Sequence, residues 1–221
     1  AVGRERIGPC VRRIPNGVDP ELFRPGRARG GEAPYLLMIG HMVPWKRHDR
    51  FLECLAEVRA RDATLQGVIV GADVFGDQPG YVAHLMELAQ DLGLHHALTW
   101  KERVGREALA DLIAGASVLV HPTPDEPFGR AVMEAMACAT PVVAVDAGGP
   151  RELLADGGGV LVAADDVEGM AAAVLDHVQH PEHMRVRGQR GRQIVLERYT
   201  ASAHARAMEA LYDEVLSVSR G

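Results

Sequence analysis

Six short apolar segments, each followed by a polar turn or a stretch with helical spacing, constrain the fold of this 221-residue chain most strongly. Several of them are continuously apolar, which is typical of strands covered on both faces of a parallel sheet. Strands that alternate with helices indicate βαβ units with right-handed crossovers. The predicted strands cover residues 35–40, 65–72, 96–100, 117–122, 141–146 and 159–163.

Apolar residues at helical spacing predict four helices between these strands and three more after residue 167. The predicted helices cover residues 47–61, 81–92, 106–114, 129–138, 170–178, 182–195 and 201–218. The predicted fold class is therefore α/β: a doubly wound, mostly parallel sheet with helices on both faces, followed by C-terminal helices. The Gly-Gly-Pro sequence at residues 148–150 is predicted to be a turn, with Glu152 as an acid near a helix N-terminus.

Composition narrows the possible functions. The net charge is -6, which argues against nucleic acid as a partner, since such surfaces need a basic face. The three widely spaced cysteines, Cys10, Cys54 and Cys138, predict reduced, buried thiols in a cytosolic protein. No apolar run reaches the roughly 18 residues of a membrane span, and no secretory signal is present. The start at Ala1 suggests a piece of a longer protein.

The segment after the first predicted strand is a candidate phosphate site, because ligands bind beyond the carboxyl ends of strands in open parallel sheets. There "HMVPWKR" brings Lys46 and Arg47 to the start of a helix. Basic residues at that position oppose the helix dipole, which favours a role in phosphate binding. A solvated basic pair is the alternative.

The segment after the fourth predicted strand contains two glutamates eight positions apart. Glu126 lies on a proline-rich loop, Gly129 begins the next helix, and Glu134 lies one to two turns inside it. Carboxylates accept hydrogen bonds from sugar hydroxyls, and the free N–H groups at a helix start bind anions. The alternative is that Glu126 is an ordinary acid near a helix N-terminus and Glu134 a solvated helix residue.

Several ordered motifs over about residues 11–218 resemble the retaining GT-B glycosyltransferases of family 4, the glycosyl transferases group 1. The matching segments are "IPNGVD" at 14–19, "GHMVPWKR" at 40–47, "VIVGAD" at 68–73, "SVLVHPTPDEPFG" at 117–129, "EPFGRAVMEAMACATPVVA" at 126–144 and "GGPRELL" at 148–154. The resemblance implies the C-terminal, donor-binding half of a two-domain fold. Residues 1–34 would lead into this domain as a linker and residues 35–221 would form it, with the N-terminal acceptor domain absent from the chain.

The resemblance also implies roles for individual residues. Lys46 would contact the donor diphosphate and Glu126 the hydroxyls of the donor sugar, and these two are assigned as catalytic. Glu134 would bind the ribose hydroxyls, with Arg103 and Val104 near the base. Donor sugar and diphosphate binding is further assigned to His41, Arg47, Phe128, Gly129 and Arg130.

Two positions depart from the family pattern. His41 stands where the family usually has Arg, and a neutral imidazole offers one donor and no fixed charge. Diphosphate binding would then be weaker, pH-dependent or assisted by Arg47, or the chain would be a less active member. Ala139 stands where the family usually has Gly, and little effect is expected from this change in a turn.

The resulting hypothesis is an enzyme domain that moves a sugar, with retention, from a UDP- or GDP-sugar to an unidentified acceptor. The acceptor could be a sugar, a lipid or a polysaccharide, and these residues alone are expected to be inactive. No cofactor or metal is expected, because no Asp-x-Asp motif lies at a strand end. The expected location is the cytoplasm, including its membrane face through the missing domain. The alternatives are a sugar-nucleotide epimerase of the same architecture and a binding or scaffold domain that has lost turnover.

Overall fold

A computed structural model describes residues 12–26, 33–74 and 76–218. Within them, the strands are β1 (Tyr35–Ile39), β2 (Gln66–Val70), β3 (Leu98–Lys101), β4 (Val118–His121), β5 (Val142–Val145) and β6 (Gly159–Val162). They form one parallel sheet in the order β3-β2-β1-β4-β5-β6. The predicted doubly wound parallel sheet is therefore confirmed, and each predicted strand is present with slightly different bounds.

Helices cover both faces of this sheet. In the described residues they are α1 (His48–Arg59), α2 (Pro79–Asp91), α3 (Arg106–Gly115), α4 (Arg130–Ala137), α5 (Gly148–Leu154), α6 (Val167–Gln179), α7 (Pro181–Arg198) and α8 (Ala201–Val218). A short 3-10 turn, Pro44–Lys46, precedes α1. The three helices after β6 confirm the predicted C-terminal helices. No helix in this part of the chain is long and apolar enough to cross a membrane.

The helix α5 corrects the prediction of a turn at Gly-Gly-Pro. A Cβ atom on Gly148 would clash with the backbone carbonyl of Glu126, and one on Gly149 with that of Phe128. These glycines therefore allow the helix start to pack against the loop after β4, and they do not reverse the chain. The expectation for Glu152 was also wrong, because the first turn of α5 holds no acid.

The core lies in two hydrophobic clusters, one on each face of the sheet. Alternate residues of each strand enter opposite clusters: Leu36 of β1 joins one and Leu37 the other. Val142 and Val143 of β5 divide in the same way. One cluster includes residues of α1, α2 and α6, and the other includes residues of α3, α4, α5 and α7. Burial on both faces explains why the strand sequences are continuously apolar.

The segment before β1 packs on the same domain. Val18 and Phe23 are both buried in the cluster that contains α4 and α7. The backbone N–H of Val18 donates to the Tyr199 carbonyl at 2.9 Å, and that of Ala201 donates to the Val18 carbonyl at 2.8 Å. Val18 thereby forms a parallel bridge with Thr200 at the start of α8. Within the predicted linker, residues 1–34, two stretches lie outside the described residues: 1–11 and 27–32.

The predicted reduced, buried thiols are confirmed for Cys54 and Cys138, which are both buried and free. Burial raises the pKa of each of these two thiols to about 12. Both side chains therefore stay protonated and act as small apolar groups in the core. Cys10 lies outside the described residues.

Candidate functional site

The order of the strands creates a crevice between β1 and β4. These two strands are neighbours in the middle of the sheet, and the chain leaves them toward helices on opposite faces. Such a switch point leaves an opening beyond the carboxyl ends of the strands, where ligands bind in open α/β sheets. The loop after β1 carries Lys46 and the loop after β4 carries Glu126, so both lie at this opening.

Lys46 and Glu126 form an ion pair across the crevice. Lys46 Nζ lies 2.5 Å from Glu126 Oε2, and each side chain is only 13% exposed. The same Nζ lies 4.3 Å from the centroid of the Trp45 ring, close enough for a cation–π contact. The hydroxyl of Thr123 donates to the Lys46 carbonyl at 3.2 Å. The two loops are therefore joined through both side chains and backbone.

Glu126 is held by three neighbours. Its Oε1 accepts the N–H of Gly129 at 3.1 Å, and His121 Nε2 approaches its Oε2 at 3.6 Å. Burial by itself would raise the pKa of Glu126, but the contacts from His121 and Lys46 outweigh burial and lower this pKa below its ordinary value of 4.5. The side chain is therefore an ionised acceptor, oriented before any ligand arrives.

Glu134 lies in α4 and is almost completely buried. The residue is 8% exposed, and Arg130 Nη2 lies 3.6 Å from its Oε1. Burial raises the pKa of Glu134, although the positive charges of Arg130 and Arg106 partly oppose that rise. A solvated helix residue would not show this burial, so the structure contradicts that alternative for Glu134. Buried acids with a perturbed pKa are concentrated at functional sites.

Arg47, expected to assist diphosphate binding, is held by two carboxylates. Its guanidinium lies 3.3 Å from Asp49 Oδ1 and 2.8 Å from Asp165 Oδ1. Burial would lower the pKa of Arg47, but the hydrogen bonds and charges of these two acids raise it. Arg47 and Lys46 are thus both paired with carboxylates, and the carboxylate that pairs with Lys46 is the crevice residue Glu126.

The other predicted residues lie around the same edge of the sheet. The exposed ones are His41, Arg103 and Arg130, the half-buried ones are Val104 and Phe128, and Gly129 is buried. Gly129 is the N-cap of α4 and has a left-handed φ of 89°. Arg103 and Val104 lie on the loop after β3, two strands away from β1. The structure therefore brings Lys46, Glu126 and Gly129 into direct contact, and separately Arg130 with Glu134.

Two further residues belong to the site although sequence reasoning did not select them. His121 is the last residue of β4 and is 2% exposed, and Thr123 follows it at 0%. Each contacts a site residue, since His121 approaches Glu126 and Thr123 bonds Lys46. The available signal was a polar residue at the carboxyl end of an otherwise apolar strand.

The chain matches known proteins over most of its length. Residues 20–194 match the family of glycosyl transferases group 1. The D-inositol 3-phosphate glycosyltransferase of Frankia alni is 36% identical over 216 residues, which are 91% of this chain and 52% of that protein. This chain therefore belongs to the glycosyl transferases group 1 family, and it spans about half the length of the curated relatives it matches.

Solved structures show the same fold. Sucrose-phosphate synthase from Thermosynechococcus elongatus superposes with a TM-score of 0.84 at 29% identity, covering 94% of this chain and 53% of that one. The Anabaena protein HepE in complex with UDP-glucose gives a TM-score of 0.82 at 23% identity, covering 91% and 57%. The chain has the fold of one Rossmann-like half of a GT-B protein.

Proposed function

We propose that this chain is the donor-binding domain of a retaining glycosyltransferase that transfers a sugar from a UDP- or GDP-sugar to an acceptor. One observation carries the proposal: Lys46 and Glu126 meet at 2.5 Å across the switch point of the sheet. A cation and an ionised carboxylate at that position provide one group for a diphosphate and one for sugar hydroxyls.

The proposed chemistry assigns each group a separate task. As the bond from the sugar to the diphosphate breaks, negative charge develops on the leaving group. The Lys46 ammonium and the free N–H groups of the first turn of α4 stabilise this charge. Glu126 accepts hydrogen bonds from hydroxyls of the donor sugar, and Glu134 accepts them from the ribose. In this proposal the lysine supplies the positive charge that a metal ion supplies in other transferases.

The relatives suggest which donor to test first. HepE was solved with UDP-glucose, and this supports UDP-glucose as the first ligand for this chain. The base-recognition residues in the proposal, Arg103 and Val104, do not distinguish UDP from GDP. Both nucleotides therefore belong in the test. Acceptor chemistry stays open among sugars, lipids and polysaccharides.

The proposal is tested by calorimetric titration of the chain with UDP, UDP-glucose and GDP. We expect saturable binding of one nucleotide, weakened by about 10-fold or more in Lys46→Met, because a charge-assisted contact is lost while the aliphatic stem remains. Lys101→Met is a matched control, since Lys101 is the only other lysine and lies at the end of β3. It should change the affinity far less.

Glu134→Gln tests the second polar group. Glutamine keeps the shape of the side chain but removes the charge, so we expect weaker UDP binding with the fold unchanged. Because burial raises the pKa of Glu134, removing its charge should leave the stability of the ligand-free chain at neutral pH unchanged or slightly higher. Absence of binding at millimolar nucleotide, or equal affinities for the parent chain, Lys46→Met and Glu134→Gln, would contradict the proposal.

A further inference from the structure

Three side chains that commonly bind metal ions converge where α6 meets α7. Asp176 lies in the last turn of α6, His180 joins the two helices, and His183 lies in the first turn of α7. One ligand atom from each of these residues lies within 4.8 Å of the other two. None of these three residues belongs to the candidate donor site.

The distances in this cluster match those of a zinc centre. Asp176 Oδ1 lies 3.1 Å from His180 Nδ1 and 3.3 Å from His183 Nδ1. Zinc binds such atoms at about 2.0–2.1 Å, so two ligands on a tetrahedron lie about 3.3 Å apart. Both distances fit edges of a zinc tetrahedron as well as hydrogen bonds, and His180 Nδ1 also lies 3.1 Å from the Asp176 carbonyl oxygen.

The second carboxylate oxygen of Asp176 has two partners. Arg187 Nη1 lies 3.1 Å from Asp176 Oδ2, and His183 Nδ1 lies 3.4 Å from the same oxygen. Outer contacts such as that of Arg187 orient metal ligands in known sites. The imidazoles of His180 and His183 are 49% and 48% exposed, so an ion can reach them from solvent. A cavity of about 640 Å³, lined in part by Asp176 and His180, adjoins the cluster.

We propose that Asp176, His180 and His183 form a zinc site with an open position for water. The ion would join the end of α6 to the start of α7, and α7 packs on α4, which carries Glu134. The site is separate from the donor crevice. Helix α6 begins beside Asp165, which pairs with Arg47 at the carboxyl edge of the sheet, and its 13 residues extend about 20 Å away from that edge.

Titration with zinc chloride tests the proposal on a chain without a histidine tag and treated with a chelator. We expect one zinc ion per chain, a higher Tm with zinc, and visible ligand-field absorption when cobalt(II) replaces zinc. Asp176→Asn and His183→Gln should each weaken binding by at least about 10-fold, because even the loss of an outer contact has that effect. Circular dichroism of the zinc-free variants checks that both are folded.

The adjacent pair His95 and His96 provides a matched control. Their rings lie 3.9 Å apart, at the connection between α2 and β3. The double variant His95→Gln, His96→Gln should bind zinc as tightly as the parent chain, and chelator should leave UDP affinity unchanged. Absence of saturable zinc binding would overturn the proposal. So would zinc binding that survives in both Asp176→Asn and His183→Gln, or that is lost equally in the control.

Discussion

At the scale of single residues, the pairing of Lys46 with Glu126 is the feature with the most consequences. The contact holds a cation at the crevice in a defined position, with its charge balanced by a carboxylate 2.5 Å away. A diphosphate would add a second anion beside the same ammonium, which has three N–H donors. The lysine can therefore keep Glu126 in place while it binds a ligand.

The pair also predicts a pH dependence of stability. The pKa of Glu126 is lower in the folded chain than its ordinary value of 4.5, so its stabilising effect is present above pH 4.5 and is lost as the pH falls below it. We expect Glu126→Gln to lower the free energy of unfolding at neutral pH by about 1–2 kcal/mol. The difference from the parent chain should shrink in acid.

Urea unfolding of Glu126→Gln and the parent chain at neutral and acidic pH measures this effect. Glu209→Gln is the control, because Glu209 is an exposed residue of α8 and its replacement should change little at either pH. If the stability difference stays constant or grows as the pH falls, the charge of Glu126 is not the source of the stabilisation.

Ala139 stands where the family usually has Gly, and its backbone conformation is one that favours glycine. Its φ is 57°, in the left-handed region, directly after the end of α4. The N–H of Ala139 donates to the Met136 carbonyl at 3.0 Å and that of Thr140 to Ala135 at 2.9 Å. These two bonds define a Schellman ending, at which glycine is preferred because it has no Cβ.

We therefore expect Ala139→Gly to raise the free energy of unfolding by about 0.5–1 kcal/mol, since it removes the left-handed strain of a non-glycine residue. Thermal or urea unfolding measures the change. Ala172→Gly is the matched control of opposite sign, because Ala172 is exposed within α6 and glycine there should cost about 1 kcal/mol. Equal destabilisation by both substitutions would contradict the claim that the left-handed φ of Ala139 strains the folded chain.

At the scale of elements, α5 serves as the support for the loop that carries Glu126. The N–H of Gly149 donates to the Glu126 carbonyl at 2.8 Å, and the absence of a Cβ on Gly148 leaves room for the same carbonyl. The conformation of the loop therefore depends on a helix that contributes no side chain to the proposed donor contacts.

Gly149→Ala tests this dependence. The new methyl group would meet the Phe128 carbonyl, so we expect a loss of about 1–3 kcal/mol of stability together with weaker UDP binding. Gly80→Ala in α2 is the control, because nothing lies within 4 Å of its added Cβ. Unfolding and calorimetry measure both effects. A Gly149→Ala chain that is stable and binds UDP normally would show that the loop does not need this contact.

The sequence predicted the regular elements better than the contacts between them. Apolar strands and helical spacing are local patterns, and their bounds were close to those observed. The start of α5 was missed because Gly-Gly-Pro is typical of turns, while its glycines serve a packing contact with Glu126, far along the chain. Asp165, one of the two acids that balance Arg47, was missed for the same reason, since it is remote in sequence.

At the scale of the whole molecule, the chain has the fold of one Rossmann-like half of a GT-B protein. The order of the strands explains why residues predicted from separate motifs come together, because β1 and β4 are neighbours only in the folded sheet. Sequence motifs could predict Lys46 and Glu126 as candidates. They could not predict that the two form a direct ion pair, which depends on how the loops pack.

The proposed function therefore predicts donor binding without transfer. With UDP-glucose present, we expect a higher Tm, because a ligand that binds only the folded state stabilises it. We expect no UDP release above background from the same chain with sugar, lipid or polysaccharide acceptors, since the acceptor side of the cleft would come from another domain. A coupled assay for UDP measures release. Sustained turnover by these residues alone would contradict the proposal that another domain supplies the acceptor side.

The bridge between Val18 and Thr200 has a consequence for how this domain can be connected to other chains. The bridge holds the segment before β1 against the start of α8. Val18, before the first strand, therefore lies next to Thr200, after the last strand. A short peptide could span that gap at little cost in loop-closure entropy. The domain is thus suited to circular permutation, or to insertion as a self-contained cassette into an exposed loop of a host protein.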